Sequence, residues 1–174
     1  GATDYLRKGS GTEQYELLAN RVRNYVKQYR SEIRATENRR IKDTVSRVNR
    51  ALVHASSRAG VEKRICDILS DTPPYIAACV ADVDADNRLK PLAWAGTERG
   101  YYEGAEMSVV EGSSGYDTPE SRAFHENEIS VCQDVEAGSQ YEELSDAATE
   151  RGFRSLAAVP LEYGEELYGI LVVF

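Results

Sequence analysis

Two apolar segments close the chain and predict a β-hairpin. Residues 155–161 and 167–174 are rich in aliphatic and β-branched side chains, and the polar residues 162–166 separate them. In the second segment, apolar residues occupy both the odd and the even positions. Because both faces of such a strand need cover, we expect it to lie in the centre of a sheet.

An apolar stripe in the first third of the chain predicts a long helix. Ser10 and Glu13 form a capping box, and no Gly or Pro occurs from residue 12 to residue 59. The stripe recurs at spacings of three and four, with an interruption between Tyr29 and Ile41 where residues 34–40 are polar. It comprises Leu18, Val22, Tyr25, Tyr29, Ile41, Val45, Val48 and Leu52. A stripe on a helix of about 70 Å needs a partner, and we expect the same helix of a second subunit to form a homodimer. The alternative is a helix packed against its own domain, and the oligomeric state separates the two.

Three helices and three strands are predicted between these two features. The predicted elements are a helix at 61–69, strands at 75–83 and 89–95, a short helix after residue 118, a strand at 129–135 and a helix at 140–151. Thr118 is the expected cap of the short helix and Pro119 its first residue. Pro73 and Pro74 end the helix before the first strand, and Gly152 ends the last helix.

Charge divides the chain into two different parts. Residues 1–50 carry 12 Lys and Arg against 6 Asp and Glu, whereas residues 51–174 carry 9 against 23. An acidic part of this size argues against direct nucleic-acid contact, because phosphates would be repelled. The cations of the first part fall mainly on the long helix, which favours a solvated helix face. Five lysines against sixteen arginines, with the acidic excess, are typical of a protein from a high-salt cytoplasm.

No apolar run reaches the ~18 residues of a membrane span, and no signal peptide is visible. We therefore expect a cytoplasmic location without a membrane partner. The chain begins at Gly1, and its only methionine is Met107, so we expect a fragment of a longer protein.

Metal, cofactor and disulfide chemistry have little support in the sequence. The chain has three cysteines, Cys66, Cys79 and Cys132, which lie far apart in the sequence. We therefore expect each of them to be a small buried hydrophobic residue rather than part of a disulfide or a metal site. The acidic turn at 82–87 lacks the glycine and the final glutamate of a calcium loop, and we interpret it as a hairpin turn. The glycines of residues 96–116 form no phosphate-binding motif, so no cofactor is predicted.

Two histidines are the candidates for acid–base or nucleophilic catalysis. His54 lies on a predicted helix and lacks the acidic residue and proline that follow the phosphoacceptor of sensor kinases, so we expect a surface or interface residue. His125 follows Phe124 on the short helix, where we expect a structural or ligand-lining role. The sequence therefore predicts no catalytic residue.

Three segments resemble the GAF domains of signalling proteins. They are TPESRAF at 118–124, ISVCQDV at 129–135 and GFRSLAAVPL at 152–161. They are similar in particular to GAF domains of bacterio-opsin-activator-like regulators from haloarchaea. The resemblance implies an α+β, PAS-related fold: a central antiparallel sheet flanked by helices, with the long N-terminal helix of coiled-coil type in front. It also implies a non-enzymatic sensory or relay module of a signal-transduction or transcription regulator.

The start of the chain resembles the end of a receiver domain from two-component systems. Asp4, Tyr5 and Leu6 precede Lys8, which corresponds to the lysine that pairs with the aspartyl phosphate in receivers. We therefore expect a receiver-like remnant at residues 1–30, a helical linker at 31–44 and the GAF domain at 45–174. A DNA-binding or kinase output domain would follow.

The GAF resemblance implies a small-molecule site between one sheet face and the irregular segment. The candidate residues are Cys79, Trp94, Tyr101, Tyr102, Tyr116, Phe124, His125, Asp134, Phe153 and Ser155. For each, packing in the core is the alternative role. Two other functions stay open: a GAF-type free methionine sulfoxide reductase that uses cysteines, and the GAF domain of a sensor histidine kinase.

Overall fold

A computed structural model of the chain describes residues 12–97, 101–102, 107–113, 115–137, 142–164 and 166–174. The chain divides into two compact units, residues 1–43 and 44–174. Lys8 and the other residues of the receiver-like motif lie outside the described residues. Among the described helices, none has the length and hydropathy of a membrane-spanning segment.

The long predicted helix is present as α1, Thr12–His54, with 43 residues and a length of about 65 Å. It ends at His54, earlier than the absence of Gly and Pro up to residue 59 suggested. The reason is Ser57, whose hydroxyl accepts the N–H of Gly60 at 3.2 Å and caps the next helix, α2, Arg58–Ser70. The second unit also contains the helices α3, Pro119–Glu126, and α4, Glu142–Glu150.

Five strands form one antiparallel sheet. They are β1, Ala77–Val83; β2, Leu89–Gly96; β3, Ser130–Cys132; β4, Leu156–Tyr163; and β5, Glu166–Val173. Their order across the sheet is β2-β1-β5-β4-β3. The predicted terminal hairpin is β4 and β5, and β5 lies at the centre as its two apolar faces require. These elements confirm the predicted α+β fold class.

Both edges of the sheet are short or irregular. At one edge, β3 pairs with β4 through only three residues, although the sequence predicted a strand at 129–135. Its side chain Val131 is 57% exposed, so the apolar pattern there does not correspond to a buried strand. At the other edge, β2 contains Pro91, and its register with β1 shifts between Val80 and Ala81.

Each face of the sheet has its own core. Ala77, Cys79 and Ala81 of β1 belong to an inner cluster that also contains Ile170 and Val172 of β5. The intervening residues of β1 and β5 pack into an outer cluster beneath α2; its members are Cys66, Ala78, Val80, Ala93 and Ala95, with Leu69, Leu161, Leu171 and Val173 against them. The central strands therefore contribute side chains to both cores, as the alternation along a strand dictates.

Candidate functional site

Four of the predicted ligand-lining aromatic residues meet in the inner cluster. Trp94 on β2, Tyr101 and Tyr102 on the irregular segment, and Phe153 before β4 are all buried, and Phe174 completes the group. Phe153 stacks on Phe174 with ring centroids 4.3 Å apart. Tyr101 meets Tyr102 edge to face at 4.9 Å, and Trp94 meets Tyr102 in the same manner at 6.0 Å. These rings form an aromatic wall across one face of the sheet.

Cys79 lies on the same face of β1 and is fully buried in the inner cluster. Burial raises the pKa of its thiol well above the ordinary value. The thiol is therefore neutral at physiological pH and behaves as a small apolar side chain.

Glu120 is a buried acidic residue that the sequence analysis missed. It lies in the first turn of α3 and has an exposed fraction of 0%. The Tyr102 hydroxyl donates to its Oε1 at 3.2 Å, whereas Oε2 has no hydrogen-bond partner among the described residues. Burial raises the pKa of the carboxyl. The aromatic wall therefore has one polar group in its interior, of the kind that orients a ligand in an apolar site.

Spacing in the sequence was the available signal for Glu120. It stands three and four positions before Ala123 and Phe124, both of which pack at the inner cluster. Residues at these spacings share a helix face. A carboxylate is rarely fully buried, so this spacing alone does not predict a buried glutamate.

Three further candidates form a second group of rings beside α3. The His125 ring lies 5.3 Å from Tyr116 and 5.2 Å from Phe124 between centroids. His125 Nε2 lies 2.6 Å from the Val109 carbonyl oxygen. Because a carbonyl only accepts, this nitrogen carries the hydrogen and donates it. His125 therefore ties α3 to the loop at Val109, and Phe124 connects this group to the inner cluster.

The structure does not bring Asp134 and Ser155 into the inner cluster. Both are exposed. Asp134 Oδ1 accepts the backbone N–H groups of Glu136 and Ala137 at 3.1 and 3.3 Å, as in an Asx turn. Asp134 thus shapes the turn after β3, and Ser155 precedes β4 on the surface.

The remaining thiols lie elsewhere. Cys66 is fully buried in the outer cluster, and burial raises its pKa to about 11. Cys132 is half-buried, with Sγ 3.5 Å from the Asp134 carbonyl oxygen. Within the described residues, no group of three or more His, Cys, Asp or Glu side chains has the arrangement of a metal site.

The acidic turn between β1 and β2 is a hairpin turn, as predicted. Asp84 Oδ1 accepts the backbone N–H groups of Asp86 and Arg88, each at 2.9 Å. Its other oxygen, Oδ2, lies 2.6 Å from Lys90 Nζ. The carboxylate of Asp84 is thus engaged within the turn itself.

An apolar groove of about 590 Å³ lies between the last turns of α1, α2 and the outer face of the sheet. Val45, Val48 and Leu52, three of the predicted dimerisation residues, line it together with side chains of α2, β1, β4 and β5. At its rim, Arg58 Nε lies 2.6 Å from Glu62 Oε1, and Nη2 donates to the Tyr168 carbonyl at 2.6 Å. The groove therefore connects the end of α1 to the two central strands.

The other predicted dimerisation residues belong to the first unit. They are Leu18, Val22, Tyr25, Tyr29 and Ile41 on α1. Each of these side chains is 41–65% exposed. The stripe that the sequence predicted is therefore a solvent-accessible row along the helix.

Comparison with known proteins gives consistent similarities. A "Putative transcriptional regulator" of Haloferax volcanii is 29% identical over 127 residues, which are 73% of this chain and 20% of that protein. The chain thus spans about a fifth of the length of this relative.

Solved structures with a similar fold include the nlh2 GAF domain of A. aeolicus in an inactive state, with a TM-score of 0.58, 14% identity and coverage of 79% of this chain and 80% of that chain. They also include the fRMsr of Staphylococcus aureus in complex with substrate, with a TM-score of 0.57, 14% identity and 76% of each chain covered. A third is the GAF region of a Geobacter sulfurreducens membrane protein, with a TM-score of 0.53, 20% identity and coverage of 67% and 74%. At these identities the likeness concerns the fold alone.

The family model described as "GAF domain" matches residues 44–174, which include the whole sheet and the helices α2 to α4. The five-stranded antiparallel sheet, the aromatic wall on its inner face and this match agree with one another, and the chain belongs to the GAF domain family.

Proposed function

We propose that this chain is a non-enzymatic sensory or relay GAF domain of a cytoplasmic, haloarchaeal regulator of the bacterio-opsin-activator type. It senses a small molecule at the aromatic wall and transmits the signal through a homodimer of α1. The exposed apolar stripe of α1 carries this proposal. An output domain that binds DNA or acts as a kinase completes the regulator.

The stripe supports a dimer because large apolar side chains on one helix face are costly to leave in water. Leu18, Val22, Tyr25 and Tyr29 recur at spacings of four, three and four, which is the spacing expected of a coiled-coil seam. The other helix faces carry mainly charged and polar residues. A second copy of the same helix covers such a stripe symmetrically.

The two central strands provide a route from the site to the helix. Ile170 and Val172 of β5 face the inner cluster, whereas Leu171 and Val173 face the outer cluster. Leu171 also lines the groove that contains Val48 of α1. A ligand that displaces the inner residues therefore biases the packing of the last turns of α1, provided that it binds one packing more tightly than the other.

Burial of two thiols supports a non-enzymatic function over a methionine sulfoxide reductase. Redox catalysis by cysteine needs an accessible thiolate. Cys79 and Cys66 are both 0% exposed, and burial raises the pKa of each. They also belong to different clusters, on opposite faces of the sheet.

Sedimentation equilibrium of the double variant Val22→Glu/Tyr25→Glu tests the proposal. Wild-type protein is expected to be a dimer at micromolar concentration in high salt, and the variant a monomer, because two carboxylates would face the seam. The matched control Asn24→Glu/Ser31→Glu adds the same charge on the opposite helix face and is expected to stay dimeric. Circular dichroism verifies that both variants are folded. A monomeric wild type, or equal loss of dimer in the control, overturns the proposal.

A further inference from the structure

A second cleft, of about 620 Å³, lies between the last turns of α1 and α2. It is distinct from the aromatic wall and from the apolar groove. Arg47, Arg50 and His54 line it from α1, and Arg64 lines it from α2. Because the α1 residues are three and four positions apart, their side chains share one helix face.

The carboxylates of this cleft already have cationic partners. Asp67 pairs with Lys63, and Asp71 Oδ2 lies 3.9 Å from Arg47 Nη2. Within the described part of the chain, no hydrogen bond or ion pair engages the side chains of Arg50, His54 or Arg64. The cleft therefore has two guanidinium groups and an imidazole available for a ligand.

This concentration of positive charge contrasts with the rest of the domain. Residues 44–174 contain 11 Lys and Arg against 23 Asp and Glu. Three of these eleven cations, with His54, nevertheless line one cleft. Asp67 and Asp71 also line the cleft, but they pair with Lys63 and Arg47. The charges of Arg50 and Arg64 are therefore left uncompensated within the cleft, and an anion compensates them.

The start of α2 adds a second favourable contribution. Ser57 caps α2, and Ser56 and Gly60 line the cleft. The Gly60 N–H already donates to the Ser57 hydroxyl, so this end of α2 contributes through the helix dipole, which favours negative charge near the N-terminus. Guanidinium groups and a helix N-terminus are the usual components of phosphate sites.

The structure assigns this cleft as a binding site for a small molecule that carries a phosphoryl group. Arg50 and Arg64 contact its oxygens, and His54 donates a further hydrogen bond. The volume lies within the ~300–1,000 Å³ of small-molecule sites, which leaves room for more than a single phosphate. Because the ligand contacts both α1 and α2, it fixes the last turns of α1 to the domain. The site does not depend on the dimer or on the aromatic wall.

Titration with inorganic pyrophosphate and with inorganic phosphate, at constant ionic strength and followed by NMR of ¹⁵N-labelled protein, tests the assignment. We expect saturable shifts confined to residues 47–71 and tighter binding of pyrophosphate than of phosphate. The variant Arg50→Gln/Arg64→Gln is expected to weaken pyrophosphate binding at least tenfold. The control Arg122→Gln/Arg154→Gln removes the same charge elsewhere on the domain and is expected to leave binding within twofold.

Two results overturn the assignment. One is the absence of saturable shifts with either anion. The other is an equal loss of binding in the control variant, which would indicate unspecific screening of charge. The same titration on the Val22→Glu/Tyr25→Glu variant separates this site from the dimer proposal, because the anion site is expected to be retained in a monomer.

Discussion

The hydroxyl of Tyr102 donates a hydrogen bond to Glu120 Oε1 at 3.2 Å in the interior of the domain. Tyr102 is 7% exposed and Glu120 0%, and the Tyr102 ring contacts the rings of Trp94 and Tyr101. A polar pair in such a place reduces stability when either partner is lost. The pair therefore links the irregular segment to α3 and also marks the polar end of the proposed ligand site.

Tyr102→Phe is expected to lower the free energy of unfolding by about 1–3 kcal/mol, because it deprives a buried carboxyl of its side-chain donor. Tyr101→Phe is the matched control. Its ring is equally buried, and no hydrogen bond to its hydroxyl is present in the described residues. Urea unfolding of both variants measures the difference. Equal destabilisation by the two substitutions would show that the bond to Glu120 contributes nothing specific.

The raised pKa of Glu120 predicts that the domain becomes less stable as the pH rises. Burial raises the pKa of its carboxyl above the ordinary 4.5, so between 4.5 and the folded-state pKa the unfolded chain releases a proton that the folded chain retains. The contribution of Glu120 to the free energy of unfolding is therefore fully present below pH 4.5. It falls as the pH rises from 4.5 to the folded-state pKa.

Glu120→Gln removes this titration, and the slope of unfolding free energy against pH above 4.5 is expected to become less negative. The exposed Glu126 on the same helix provides the control Glu126→Gln, for which the slope should remain that of the wild type. Chemical unfolding at several pH values measures the slopes. Identical slopes for all three proteins would refute the prediction.

The three thiols are expected to differ in reactivity. In native protein at pH 8, Cys132 should react first with a disulfide reagent, because it is only half-buried whereas the other two thiols are buried. Cys66 and Cys79 should react only after denaturation, since burial raises the pKa of both thiols. Cys132→Ser should therefore abolish the fast phase. Rapid modification of two thiols in the native state would instead favour the reductase alternative.

Alanine substitutions at two glycines with positive φ distinguish the cost of backbone strain from the cost of a steric clash. Gly96 has φ 97° and Gly112 has φ 83°, but a Cβ on Gly96 would lie 2.2 Å from the Ile76 carbonyl oxygen, whereas one on Gly112 meets nothing within 4 Å. Gly112→Ala is expected to cost about 1–2 kcal/mol from the left-handed conformation alone. Gly96→Ala should cost a further 1–3 kcal/mol or so, because β1 and β2 must separate. Thermal unfolding of the pair compares them, and similar losses would contradict the steric argument.

Local patterns predicted most of the fold. Thr118 caps α3, and its hydroxyl accepts the N–H of Ser121 at 3.2 Å, as the Thr-Pro pair indicated. The terminal hairpin and its central strand followed from apolar residues on both faces of β5. These features depend on neighbours in sequence, so one sequence is sufficient to predict them.

Other features depend on contacts between distant segments. β3 is short because pairing with β4 ends at Ser130 and Cys132, and no local signal marks that limit. Among the candidate site residues, Asp134 follows β3 and Ser155 precedes β4, as predicted, but both are exposed. The hydrogen-bond donor of the buried Glu120 is Tyr102, which lies eighteen positions earlier in the sequence. Tertiary contacts of this kind leave little trace in periodicity.

The shape of the sheet edges limits how copies of this domain can associate. β3 offers three residues for further pairing, and β2 is interrupted by Pro91, which has no N–H to donate. Neither edge strand is a good template for the addition of a further strand, which is the step by which sheets grow into fibrils. Crowded solutions of the domain are accordingly expected to remain free of cross-β aggregates, and self-recognition is left to helices and sheet faces.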